Sequence, residues 1–132
     1  VVPKITVICG ASCGAGHYAM CGKAYDPRFI FAWPTARYAV MGGDQAAETL
    51  VEIKVRQLER EGKKLNEQEH RELLETTRQT YEHQTDPRYA ASRLWVDAII
   101  DPAETREALI WALEAAALNP EVREFKTGVL QT

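Results

Sequence analysis

Long apolar runs are missing from this chain: none is long enough to cross a bilayer. No secretory signal peptide is recognisable either. Cysteine is scarce, with three residues, all near the start of the chain. An odd number so clustered is not a disulfide framework, and a reducing compartment fits it better. An excess of positive charge is also absent, because 16 Lys and Arg stand against 19 Asp and Glu for a net charge of −3. That argues against a nucleic-acid binder working by phosphate neutralisation. There is no nucleophile elbow, no Walker-type phosphate loop, no pair of carboxylates in an apolar setting, no repeat in the sequence and no low-complexity tract. Glu48 and Glu52 lie one helical turn apart, which is an everyday surface spacing. What remains is a composition of the ordinary globular kind, 45% apolar and 27% charged over 132 residues, enough for one domain with a real core. The chain opens on Val1-Val2-Pro3 rather than Met, as a processed chain or a piece of a longer one would.

One stretch organises the rest: Cys9-Gly10-Ala11-Ser12-Cys13-Gly14-Ala15-Gly16-His17-Tyr18-Ala19-Met20. The β-branched run Lys4-Ile5-Thr6-Val7-Ile8 before it reads as a buried parallel strand, and the residues after it as the start of a helix running through Cys21. The glycines therefore sit where a strand gives way to a helix. Small residues there let another molecule approach the backbone. The first amides of a helix have no partner within it and carry the positive end of its dipole. Such a place can hold an anion or a developing oxyanion. It can equally be a tight turn that packs helix on strand.

Further along, Tyr25-Asp26-Pro27-Arg28 is a turn, Phe29 to Trp33 a second buried strand ended by Pro34, and Ala36 to Met41 a third short strand. A helix opens near Gln45 and runs to about Glu61, with Gly62 as its stop. Asn66 and Glu69 form a capping-box pattern for a further helix from about Glu67 to Gln84. That helix is thin in apolar residues, with Leu73, Leu74 and Tyr81 most of them. The two helices, at about 45–84, read as a hairpin projecting from the core and needing a partner chain or an upstream segment. The charge run from Lys54 to Lys64 reads as a solvated face. Asp86-Pro87 breaks the chain, Tyr89 to Trp95 is a short helix or turn, and Val96 to Ile100 is a last strand. Asp101-Pro102-Ala103-Glu104 starts a helix with Leu109, Ile110, Leu113, Ala116 and Ala117 on one broad apolar face. It ends before Asn119-Pro120, and the tail from Glu121 reads as irregular. Strands separated by helices define an α/β class.

Cys9, Cys13, His17 and Cys21 recur every four residues, and three thiolates with an imidazole are a zinc ligand set. However, Cys9 ends a strand and three glycines interrupt any single helix, so small buried cysteines and no metal are expected. His17 could be a general base, or a hydrogen-bonded surface residue. The visible chemistry is that of backbone amides rather than side chains.

The run PKITVICGASCGAGHYAMCGKAYDPRFIFAWPTARYAVMGGDQAAETL closely resembles the carboxyltransferase (β) subunit of biotin-dependent acyl-CoA carboxylases, of the methylcrotonoyl-CoA carboxylase type. So do ASRLWVDAIIDPAETREALIWAL and the ending Lys126-Thr127-Gly128-Val129-Leu130, and the likeness spans essentially all of residues 1–132. It implies a crotonase-type superhelix of ββα units, of which this chain is the C-terminal part of a carboxyltransferase domain. The implied reaction is transfer of a carboxyl group from carboxybiotin to an acyl-CoA such as 3-methylcrotonyl-CoA. The ureido oxygen of biotin would be held by backbone amides that fall on Ala15 and Gly16. An upstream oxyanion hole, absent here, would hold the thioester, so the isolated chain is expected to be inactive. Gly14, His17 and Tyr18 would line the substrate side of the loop.

The resemblance also implies biotin carried on a partner subunit or domain and no metal. Its other partners would be a biotin carboxylase or biotin carrier subunit and further copies of itself in trimers or hexamers, with no nucleic acid and no membrane. The location would be cytoplasmic in a bacterium and the mitochondrial matrix in a eukaryote. Position 13 is Cys where the family usually has an aromatic residue, position 17 is His where the nearest type has Asn, and Ala19 stands where Gly is frequent. Sodium-pump acyl-CoA decarboxylases share the pattern. A non-catalytic assembly fragment and a crotonase-fold hydratase or isomerase are the competing classes, the last needing a side-chain acid or base.

Overall fold

A computed structural model describes residues 2–63, 65–119, 121 and 124. The chain repeats one arrangement: a strand, a shorter strand, then a helix. In the first unit these are β1 (Ile5–Ile8), β2 (Ala11–Cys13) and α1 (Gly14–Ala19); in the second, β3 (Phe29–Ala32), β4 (Arg37–Ala39) and α2 (Gly43–Arg60). Then come α3 (Glu67–Gln84), α4 (Pro87–Ser92), β5 (Ala98–Ile99) and α5 (Thr105–Ala117). The first strands of the units pair with each other and the second strands pair with each other. One parallel sheet has the order β1-β3-β5, with Ile5 opposite Phe29 and Phe31 opposite Ala98, and the other is β2-β4, with Ser12 opposite Tyr38. No sequence repeat announces this repetition, because it lies in strand pairing rather than in residue identity.

β2 is a strand where a loop was expected. Its three residues are too few to show alternation, and only the parallel partner Arg37–Ala39 makes them a strand. The last strand is nearly as short, but Asp97 extends its pairing. The Asp97 amide donates to the Ile30 carbonyl at 2.8 Å, and its carboxylate accepts from the Ile30 amide at 2.7 Å. Ile8, Ile30, Ala32, Ala36, Ala90 and Val96 form the buried core, with Tyr38 and Trp95 packed against it. Burial of a side chain such as Ile30, wholly inaccessible here, stabilises the fold by about 1.5–3 kcal/mol.

The turn between the two long helices falls at Gly62 and Asn66, as expected, while α2 starts at Gly43, before the expected Gln45. α2 closes in a Schellman turn: Gly62 adopts φ +76, its amide donates to Glu59 and the Lys63 amide donates to Leu58. α3 opens in a full capping box, with both Asn66–Glu69 bonds at 2.8 Å. Only Ala46, Ala47 and Val51 of α2 are buried, and none of α3 is. Tyr81 pins the hairpin base by donating to the Met41 carbonyl at 3.0 Å.

Two expectations are corrected at the C-terminal end. The Asp101-Pro102 start yields a 3₁₀ turn over Pro102–Glu104 before the α-helix begins at Thr105. The apolar stripe of α5 is not a core face: Ala112 and Ala116 are buried, while Ile110 and Leu113 are 49% and 59% exposed. The helix reaches the sheet instead through Trp111, whose ring lies 5.3 Å from that of Phe29, and through Thr105, which accepts from the Trp33 indole at 2.9 Å. The Lys126–Leu130 match and most of the tail lie outside the described residues.

Candidate active site

The glycine stretch is organised by its strand-to-helix junction. Cys13 is extended, with φ −125, and its side chain caps nothing, so the first amides of α1 are left open. Gly14 follows with φ +56, in the left-handed region. A Cβ there would also come within 3.1 Å of the Val40 carbonyl oxygen, so the start of α1 is held close to the strand pair. Ala15 and Gly16 are exposed, and among the described residues their amides donate to no protein acceptor. A Cβ on Gly16 would meet nothing within 4 Å. The result is an exposed turn of backbone with adjacent unpaired donors, which can receive an oxygen carrying negative charge.

His17 lies elsewhere than either sequence expectation put it. It is neither a surface residue nor a side chain lining the open face of the loop, being only 7% exposed. Its helical position turns the ring inward. Nδ1 shares a 2.9 Å hydrogen bond with the Ser12 hydroxyl, and the ring stands edge-on to Tyr38 with centroids 4.4 Å apart. A Cβ on Gly22 would fall 2.0 Å from Nε2, so Gly22 is the space in which the ring sits. Nε2 is buried with no hydrogen-bond partner in the described structure. Burial alone lowers the pKa of His17 below its ordinary 6.5. A buried, neutral imidazole facing Tyr38 and Gly22 is not disposed as a general base toward the exposed amides.

Tyr18 is half-buried on the same helix, its ring 6.2 Å from that of His17. Burial, and secondly the nearby Tyr18, raise the pKa of Tyr38. The four residues of the apparent metal row are dispersed: Cys9 follows β1, Cys13 precedes α1, His17 is inside and Cys21 lies in the turn beyond, at φ +63. Among the described residues no group of His, Cys, Asp or Glu is arranged to hold a metal ion. Sequence reasoning missed Ser12, Gly22 and Tyr38, because their link to His17 exists only once β2 pairs with β4 and the chain turns back after α1.

Parallel ββα units with an open helix start at the first junction define a crotonase-like carboxyltransferase fold. The chain belongs to the carboxyl transferase domain family, which it matches over residues 1–129. It is 47% identical over 130 residues to the mitochondrial methylcrotonoyl-CoA carboxylase beta chain of Arabidopsis thaliana, an alignment covering 98% of this chain and 22% of that one. Among solved structures it resembles the beta subunit of P. aeruginosa geranyl-CoA carboxylase, with 38% identity and a TM-score of 0.71, covering 96% of this chain and 23% of that one. It also resembles the transcarboxylase 12S hexamer with methylmalonyl-CoA bound, with 30% identity and a TM-score of 0.77 at the same coverages. The chain thus spans about a fifth of the length of its relatives. Among the described residues no helix is long and apolar enough to cross a membrane.

Proposed function

We propose that this chain is the C-terminal part of the carboxyltransferase (β) subunit of a biotin-dependent acyl-CoA carboxylase of the methylcrotonoyl-CoA type, taking 3-methylcrotonyl-CoA or a related acyl-CoA. The observation that carries the proposal is the pair of exposed amides at Ala15 and Gly16, unbonded among the described residues, within a chain that matches the family along its length. Those amides would donate to the ureido oxygen of biotin, each worth on the order of 3–4 kcal/mol when charge develops there. Biotin, carried by a partner subunit or domain, supplies the transferable carboxyl group when bound. Gly14 holds the loop close to the Val40 carbonyl, and Ala15 and Gly16 beside it are exposed. Tyr18 borders the same turn. No side-chain acid or base at this loop is needed for that role, which suits a buried His17.

In this reading residues 1–132 are one part of a larger domain, and the chain alone is inactive. The hairpin at about 45–84 packs against other chains or upstream segments, in trimers or hexamers that also engage a biotin carboxylase or carrier partner. The location is the mitochondrial matrix for a eukaryotic source and the cytoplasm for a bacterial one. The test is a carboxylation assay of the full subunit assembled with its biotin-bearing partner, across a panel of acyl-CoAs. Turnover of 3-methylcrotonyl-CoA above the others is expected. Sodium-dependent decarboxylation alone, or no turnover by a correctly assembled complex, would overturn the proposal.

A further inference from the structure

We infer that His17 is a positioning residue: hydrogen-bonded to Ser12 and seated over Gly22, its neutral imidazole sets the path of the loop that presents the Ala15 and Gly16 amides. The inference rests on the reading of those amides as oxyanion donors, and it concerns a side chain that does not itself reach the open face.

The geometry is that of a clamp. Ser12 stands on β2 and His17 on α1, so their 2.9 Å bond closes a short loop with Cys13, Gly14, Ala15 and Gly16 inside it. Tyr38 meets the ring at 90° from the neighbouring strand β4, and is itself anchored by its amide, which donates to the Thr85 carbonyl at 3.0 Å. Below, Gly22 donates its amide to the His17 carbonyl at 2.9 Å and leaves the space that Nε2 occupies. The ring is thus contacted from β2, β4 and the turn after α1, all outside its own helix. Moving it moves the turn that carries both amides.

The clamp tolerates only the neutral ring. An imidazolium has two N–H donors, and Ser12 offers an acceptor to one of them, while Nε2 is buried and, among the described residues, unpartnered. The titratable groups facing the ring are the phenols of Tyr38 and Tyr18, and among the described residues no carboxylate is paired with it. Protonation would therefore place an uncompensated charge against Tyr38 and Gly22, and the ring would have to leave. Asparagine can place an amide group near the position of Nδ1 and bond Ser12 at every pH.

The experiment uses the assembled full-length carboxylase with wild-type subunit, His17→Ala and His17→Asn. Two quantities are read: kcat and KM for acyl-CoA from about pH 5 to about pH 8, and hydrogen–deuterium exchange of the peptide over residues 9–22, with the hairpin as internal reference. His17→Ala should lower kcat by about 10- to 100-fold with little change in KM for acyl-CoA, and raise exchange over 9–22 but not in the hairpin. His17→Asn should restore most of kcat and remove the part of the acid-side fall that the wild type shows below its histidine transition. Unchanged exchange in His17→Ala, or superimposable pH profiles for wild type and His17→Asn, would overturn the inference. If His17→Ala does not assemble, the His17→Asn profile decides alone. If the assembled wild type carboxylates no acyl-CoA, the proposed function fails, and the exchange comparison still decides whether His17 holds the loop.

Discussion

Replacing Gly16 by proline in the full-length subunit separates folding from catalysis. Proline removes the amide hydrogen at that position. Among the described residues the Gly16 amide donates to no protein acceptor, so folding loses no hydrogen bond. A Cβ at Gly16 meets nothing within 4 Å, so a ring begins in open space. Proline is accommodated in the first turn of a helix, although it biases Ala15 toward extended backbone. The expected loss is therefore one of two donors to the developing negative charge, on the order of 3–4 kcal/mol, or about two to three powers of ten in kcat. Acyl-CoA binding should change little if, as the family resemblance implies, the thioester is held at an upstream site. The control is Gly16→Ala, which keeps the amide, adds a methyl group into open space and should stabilise α1 by roughly 0.5–1 kcal/mol. The assay is steady-state carboxylation alongside oligomer size and acyl-CoA affinity. A correctly assembled proline variant with normal kcat would refute the assignment of this amide. One that loses acyl-CoA binding and keeps biotin-side chemistry would show that the loop serves the other substrate.

Other outcomes follow from the packing. Gly22→Ala places a Cβ 2.0 Å from His17 Nε2 and should destabilise the subunit by about 1–3 kcal/mol, seen as a lowered thermal midpoint; an unchanged midpoint would mean the ring is not seated there. Gly14→Ala forces a side chain into φ +56 close to the Val40 carbonyl and should cost about 1–2 kcal/mol in denaturant titration, a stability equal to wild type arguing against that backbone conformation. Asn66→Ala removes the capping box of α3 and should cost about 1 kcal/mol, read as increased hydrogen exchange at the N-terminal end of that helix. Because burial lowers the His17 pKa, the unfolded state binds its proton first on acidification, so stability should fall as pH drops below 6.5 and level off below the folded-state value. His17→Asn should flatten that part of the stability profile, and identical profiles would exclude His17 as its source.

Much of the architecture was legible in the residues because its causes are local. The β-branched run Ile5–Ile8 and the aromatic run Phe29–Ala32 are strands in the fold, and the spacing of Asn66 and Glu69 set the start of α3 at its observed residue. Gly62 ended α2 because a left-handed C-terminal residue favours glycine. The glycine loop was recognisable as a strand-to-helix junction with open amides, a consequence of helix geometry that needs no tertiary contact. Tertiary structure alone decided what pairs across the chain. Ala11–Cys13 became a strand only against Arg37–Ala39, and the apolar face of α5 stayed largely uncovered because the described chain has nothing to lay against it. His17 looked like a loop side chain because it follows the small residues Gly14, Ala15 and Gly16 of the glycine stretch. Its burial depends on Ser12, Gly22 and Tyr38, which strand pairing and the turn after α1 bring around it, and a contact made across separate segments leaves no periodic trace in a sequence.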